Sequence, residues 1–136
     1  MNSVQNKRIL FAVLNWGLGH ATRSIPLIES LKSDNEIILA SNGRSLNLLQ
    51  DEFPGIRCIS LPDYGGHYTR NRRMLIPYLG LQIPYIILQL HREHLLTEEI
   101  VDSHQVDMVF SDSRYGVYSK RVPSFFITHQ LRFPLP

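Results

Sequence analysis

The chain has 136 residues, 43% of them hydrophobic and 19% charged, with Cys58 as its single cysteine. That is the make-up of one globular domain, able to bury roughly two-thirds of its unfolded surface without a metal or disulfide staple. An internal disulfide is excluded, which suits a reducing cytoplasm, and fourteen Lys plus Arg against twelve Asp plus Glu leave +2, too small a basic excess to make nucleic acid the expected partner.

Residues 1–8 are polar and read as carrying no export signal. Residues 8–14 (RILFAVL) form an almost continuous apolar run that ends at Asn15, Trp16 and Gly17, as expected of a strand buried on both faces of a parallel sheet. Beyond the glycines, Ala21, Ile25, Ile28 and Leu31 recur at helical spacing and would lay one stripe on such a sheet. Proline is comfortable only in a helix's first turn. Pro26 therefore predicts a helix that starts near Thr22 or later, or one that bends.

Strand-like residues 36–40 (EIILA), helix-like residues 45–52 and strand-like residues 57–61 (RCISL) follow, separated by Gly, Asn, Asp or Pro. A loop over residues 62–73, rich in Gly, His, Tyr and Arg, leads into a mostly helical stretch reaching about Ser103. Pro77, Gly80 and Pro84 are expected to kink or divide it. Residues 107–111 (DMVFS) read as a fourth strand, residues 114–120 as a short helix or turn, and residues 124–128 (SFFIT) as a fifth strand.

Five strands with intervening helices predict right-handed crossovers and an open, parallel, Rossmann-like α/β sheet, whose ligands bind beyond the strands' carboxyl ends. Residues 15–20, 41–44, 63–67 and 112–116, and His129 with Gln130, collect at that edge.

Gly17-Leu18-Gly19-His20 lies between a buried strand and a helix, where glycines allow a sharp turn and bring backbone N–H groups close to an anion. The same glycines could simply make a tight turn. Dinucleotide binding is disfavoured, because Thr22 stands at the third glycine position and Ser41-Asn42 supply no acidic ribose ligand. No phosphate-binding G-x-x-x-x-G-K-[ST] run occurs either. His20 would sit at the helix start, where the dipole favours a neutral ring suited to accepting a proton. Asp112 could orient that base, hold a substrate hydroxyl or only cap a turn. His129 and Gln130 could hydrogen-bond a ligand in the crevice.

His91 and His94 stand three apart on a helix but lack the further ligands of a metal motif, so no metal site is expected. Residues 74–90 carry no charge, yet hold two prolines and two glutamines and fall short of a bilayer span. With Arg70, Arg72 and Arg73 just before it, this segment reads either as a core helix behind a solvated arginine loop or as a surface for anionic headgroups.

The stretches ILFAVLNWGLGHATRSIPLIESL, EIILASNGRSLNLL, DMVFSD and FFITHQ resemble the N-terminal half of GT-B glycosyltransferases, in particular the bacterial group related to the peptidoglycan N-acetylglucosaminyltransferase. The resemblance covers residues 7–130. Its specific part is the G-x-G-H-A-T-R block over residues 17–23, supported by Ser111-Asp112 and His129-Gln130.

That resemblance implies an acceptor-binding domain, with the nucleotide sugar held by a second Rossmann-like domain across a cleft. Residues 1–136 are then expected to be a single, incomplete N-terminal domain, inactive alone. The implied chemistry is attack by an acceptor hydroxyl on the sugar's anomeric carbon, with nucleoside diphosphate leaving and no cofactor or bound metal. His20 matches the family's loop histidine and is expected to act as base or acceptor ligand, assisted by Asp112. Gly17, Leu18, Gly19, Thr22, Arg23, His129 and Gln130 are expected to hold the acceptor, a sugar or a lipid-linked one. The peptidoglycan enzyme's loop is richer in glycine, and the bulk of Trp16 and Leu18 here speaks against a lipid diphosphate.

The rival expectation is a non-catalytic module that binds a phosphorylated or glycan ligand, or docks on a membrane and recruits a separate donor-binding subunit. The expected location is the cytoplasm, with peripheral contact at the inner face of the membrane through Arg70, Arg72 and Arg73.

Overall fold

The computed structural model describes residues 4–63 and 72–128, Arg72 by its backbone alone. Among the described residues the elements run β1 (Arg8–Val13), α1 (Gly19–Lys32), β2 (Glu36–Ser41), α2 (Gly43–Glu52), β3 (Arg57–Ser60), α3 (Arg72–Ser103), β4 (Met108–Asp112) and β5 (Ser124–Ile127). The strands form one open sheet in the order β3-β2-β1-β4-β5, and every pairing is parallel. This is the Rossmann-like α/β architecture that the strand and helix alternation predicts.

β1 is the central strand and is covered on both faces, which is why its sequence is apolar without alternation. Successive side chains divide the core. Leu10 and Ala12 join Ile38, Ala40 and Val109 against Ile100 and Val101 of α3. Ile9, Phe11 and Val13 join Ile37 and Leu39 against Ala21 and Ile28 of α1 and Leu49 of α2. The sheet is thus a middle layer, with α1 and α2 on one side and α3 on the other.

Two helices run through prolines. α1 begins at Gly19, ahead of Thr22, and runs through Pro26. Pro26 can give no backbone bond to the Thr22 carbonyl, but both residues are exposed, so that carbonyl lies on the solvated side of the helix. α3 is one helix through Pro77 and Pro84 and is not divided. At 1.5 Å per residue it is about 48 Å long, whereas a six-residue strand spans about 20 Å, so the sheet can cover less than half of it.

The carboxyl-terminal half of α3 is the covered part. Gln89, Glu93, Thr97, Ile100 and Val101 are buried in one stripe, and the His104 carbonyl just beyond the helix accepts from Arg8 Nη1 (2.7 Å) at the strands' amino edge. The amino-terminal half of α3 is therefore not the core helix that one sequence reading offered. Residues 114–120 hold no helix but a tight loop, closed by Val117 N donating to the Arg114 carbonyl (3.3 Å).

That loop presses against α3 at Gly116, where a Cβ would stand 2.6 Å from Glu93 Oε2 and 2.7 Å from the Leu90 carbonyl oxygen. Gly116→Ala is expected to destabilise the fold by about 1–3 kcal/mol in urea unfolding, since backbone and a buried carboxylate must shift. Gly80→Ala, in open space on α3, is expected to act in the opposite direction by about 0.5–1 kcal/mol.

Candidate functional site

The strand order reverses between β1 and β4, the point where an open α/β sheet parts its loops and leaves a crevice at the carboxyl ends. The loop after β1 is fixed first by Asn15. Its Oδ1 accepts from Ser45 N at the start of α2 (3.1 Å), and its amide packs where Gly43 lacks a side chain. A Cβ at Gly43 would stand 2.4 Å from Asn15 Nδ2, and Gly43 has φ +56°. Gly17, at φ +76°, then turns the chain so that Trp16 and Leu18 face solvent and α1 can begin.

His20 and Ser24 are one helical turn apart on α1 and share the face directed at the end of β4. There Asp112, 1% exposed, receives both: Oδ1 lies 3.2 Å from His20 Nδ1, and Oδ2 accepts from Ser24 Oγ at 2.7 Å. Ser113 Oγ adds a longer contact to Oδ1 (3.3 Å). Ser113 holds the left-handed conformation, φ +62°, uncommon for a residue with a side chain, while its N–H still reaches the Ile127 carbonyl (3.1 Å). The His20 side chain is 22% exposed and that of Asp112 1%, so the pair is buried on its acidic side and partly exposed on the other. A carboxylate only accepts hydrogen bonds, so Nδ1 is the ring nitrogen that would donate to Asp112.

Around this dyad lie Gly17, Leu18, Gly19, Thr22 and Arg23, all exposed. Leu18 is the N-cap of α1 and makes no side-chain capping bond. The Thr22 hydroxyl donates to the Leu18 carbonyl at 2.8 Å and so serves its own helix. His129, Gln130, Arg70 and residues 64–67 lie outside the described residues, and Arg73 is exposed at the start of α3. His94 stacks on Tyr118, with ring centroids 4.0 Å apart, and among the described residues no group of three or more His, Cys, Asp or Glu side chains could hold a metal. Burial pushes the Cys58 thiol pKa up, which keeps it protonated and a poor nucleophile.

Sequence reasoning missed Arg114 and Glu93. Arg114 Nε pairs with Glu93 Oε1, Nη1 donates to the Val13 carbonyl (3.2 Å) and Asn42 Oδ1 (2.9 Å), and Nη2 donates to the Pro62 carbonyl (2.7 Å). Both side chains are essentially inaccessible, 1% and 0% exposed. The usable signal was a carboxylate on the stripe that carries Ile100: a glutamate at a core position demands a cation.

A hollow of about 660 Å³ lies at the opposite, amino edge of the sheet, lined by residues such as Lys7, Arg8, Asn35, Glu36 and Asp107. Those groups bond one another, as in Arg8 N to Asp107 Oδ2 (2.9 Å) and Lys7 N to Asn35 Oδ1 (3.0 Å), and so hold the sheet's base together. The candidate site is the dyad's edge, because a concavity whose polar lining is engaged with itself recognises little.

The fold and this edge define an open, parallel Rossmann-like domain with a His-Asp pair at its switch point. Known structures with the same fold include a glycosyltransferase from Rickettsia africae ESF-5 (TM-score 0.57, 20% identity, covering 92% of this chain and 30% of that one). They include SsfS6, a glycosyltransferase of Streptomyces sp. SF2575 (TM-score 0.62, 17% identity, 95% of this chain and 41% of that one). UGT2 of Phytolacca americana, solved with UDP-2fluoro-glucose and pterostilbene, is a third (TM-score 0.60, 13% identity, 93% and 31%). The chain thus spans about a third of the length of these enzymes.

The C-terminal domain of PF1911 hydrogenase from Pyrococcus furiosus also shares the fold (TM-score 0.54, 13% identity, 92% and 95%), so the fold alone does not select a chemistry. No protein-family model matches the chain, and no curated protein matches it in sequence.

Because Arg114 ties the ends of β1 and β3 to α2 and α3, its removal is testable apart from any activity. Arg114→Met would leave buried Glu93 without its guanidinium, and is expected to lower the unfolding free energy by about 3–5 kcal/mol in urea titration. Arg114→Lys is expected to recover little, since one ammonium cannot reproduce a planar fork that serves four acceptors.

Proposed function

We propose that this chain is the acceptor-binding part of a nucleotide-sugar-dependent GT-B glycosyltransferase, with His20 as general base and Asp112 as the carboxylate that orients it. The observation that carries this reading is the His20–Asp112 contact at the switch point, braced by Ser24, with the His20 side chain partly exposed. The likeness to solved glycosyltransferases supports the class, and the G-x-G-H-A-T-R block supports the assignment of the edge.

In this reading an acceptor hydroxyl sits against His20 Nε2. Its proton passes to that nitrogen as its oxygen bonds to the anomeric carbon of the donor sugar. The bond from that carbon to the diphosphate oxygen breaks, and the nucleoside diphosphate leaves with the electron pair. Asp112 faces the imidazolium so formed and stabilises it by an opposite charge at hydrogen-bond distance. Ser24 and Ser113 hold the carboxylate in line with the ring.

Gly17 and Gly19 keep the opening turn of α1 narrow, so that backbone N–H groups, with Leu18, Thr22 and Arg23 beside them, face the acceptor's hydroxyls or phosphate. UGT2 was solved with a UDP sugar, the class of donor proposed here. We assign the donor site to a second Rossmann-like domain outside these 136 residues, on the same polypeptide or on a separate subunit. We place the enzyme in the cytoplasm.

The reading is tested with the donor-binding domain present. His20→Ala is expected to lower kcat by about 10²–10⁴-fold, with the far-UV circular dichroism and the donor KM little changed. Asp112→Asn is expected to lower kcat too, by turning the ring to the wrong tautomer. Transfer at the parental rate by His20→Ala removes the base from this mechanism.

A further inference from the structure

We propose, on the reading of the switch-point edge as an acceptor site, that Trp16 is that site's stacking platform and that the acceptor carries its reacting hydroxyl on a ring. Trp16 is the chain's single tryptophan, and it stands 58% exposed in the loop between β1 and α1. Burying an indole is among the largest apolar gains open to a chain of this size, and here it is forgone. Leu18, 45% exposed, follows across Gly17, and His20 follows two residues later. The exposed apolar pair therefore sits in the same loop that delivers the dyad's imidazole.

A scattered apolar side chain on a loose surface needs no explanation, but Trp16 is not on a loose surface. Buried Ser45, in the first turn of α2, holds both of its neighbours. The Ser45 N–H donates to Asn15 Oδ1 (3.1 Å), and the Ser45 hydroxyl donates to the Gly17 carbonyl (3.4 Å). Just before them, Leu14 N–H donates to the Asp112 carbonyl (3.1 Å), which ties the loop to the strand that carries the dyad's carboxylate. With its backbone pinned on both sides, the indole has only its two side-chain torsions left to fix when a ligand arrives. Little binding energy is then lost to ordering.

The shape of the platform selects the ligand. An indole offers a flat face with negative charge density, and what covers it best is a flat face edged with C–H groups or a second aromatic ring. A sugar ring and a phenol share that feature, and both carry hydroxyls, so either can rest on Trp16 while one hydroxyl turns to His20. An open-chain alcohol must freeze several torsions to present the same area. The bulk that keeps a diphosphate away from the loop's N–H groups is thus the bulk that holds a ring.

The test uses the 136-residue chain, whose only tryptophan is its own reporter, with methyl β-D-glucopyranoside, phenol and open-chain sorbitol as probes. At up to about 50 mM, above the millimolar Kd that suits a single-ring ligand, the glucoside or phenol is expected to move the indole emission to shorter wavelength and to shield it from acrylamide. Sorbitol is expected to do neither. By saturation-transfer NMR, Trp16→Ala is expected to weaken binding of the responding ring by about 5–30-fold and Trp16→Phe to recover most of it, with both urea midpoints near the parent's. A response to the glucoside alone assigns a sugar acceptor, and a response to phenol alone an aromatic alcohol. His20→Ala is expected to keep the emission response, which separates this proposal from the assignment of the base. Emission unmoved by both rings, a response to sorbitol as large as to either ring, or binding by Trp16→Ala at the parental strength overturns the proposal.

Discussion

A guanidinium buried away from water organises this molecule. The charge of Arg114 is tolerable in the interior because Glu93 carries the opposite one. Its remaining N–H groups meet the Val13 and Pro62 carbonyls and the Asn42 side chain, so no donor is stranded. A hydrophobic residue could fill the volume but could not speak to four segments at once. Through this one side chain the end of β1, the entry to α2, the chain after β3 and the middle of α3 are held to the carboxyl edge of the sheet.

The catalytic geometry proposed above inherits that constraint. Val13 is the last residue of β1 and pairs in register with Asp112 of β4, so fixing one end fixes the other. Asn15, two residues on, is locked against Gly43 and Ser45, and only then does the turn at Gly17 deliver His20 to Asp112. The dyad is thus an outcome of backbone registration, with Ser24 as its brace. Its placement at the switch point follows from the same order of strands.

The parallel sheet was legible because periodicity is strong where burial is two-sided: the apolar runs at residues 8–14 and 36–40 admit few other structures. The edge on which residues 15–20 and 112–116 gather was legible for the same reason. What could not be read was strand order, which alone brings Asp112 next to β1 and within 3.2 Å of His20. Where α1 starts and whether α3 is divided could not be read from the prolines either, because a proline's cost depends on whether the orphaned carbonyl faces water, a tertiary fact. Arg114 falls in a segment that reads only as a short helix or turn, and nothing local distinguishes a solvated guanidinium from one that finds a buried carboxylate twenty-one residues earlier.

The ion pair also orders the edge around the proposed site. Glu93 meets Arg114 at the carboxyl edge, so the turns of α3 that precede it overhang the same edge that carries His20, on the opposite face of the sheet. Trp16 and Leu18 stand exposed in the loop before α1, and their bulk opposes a diphosphate seated against the loop's backbone, because a phosphate cradle needs close approach to N–H groups that only small residues permit.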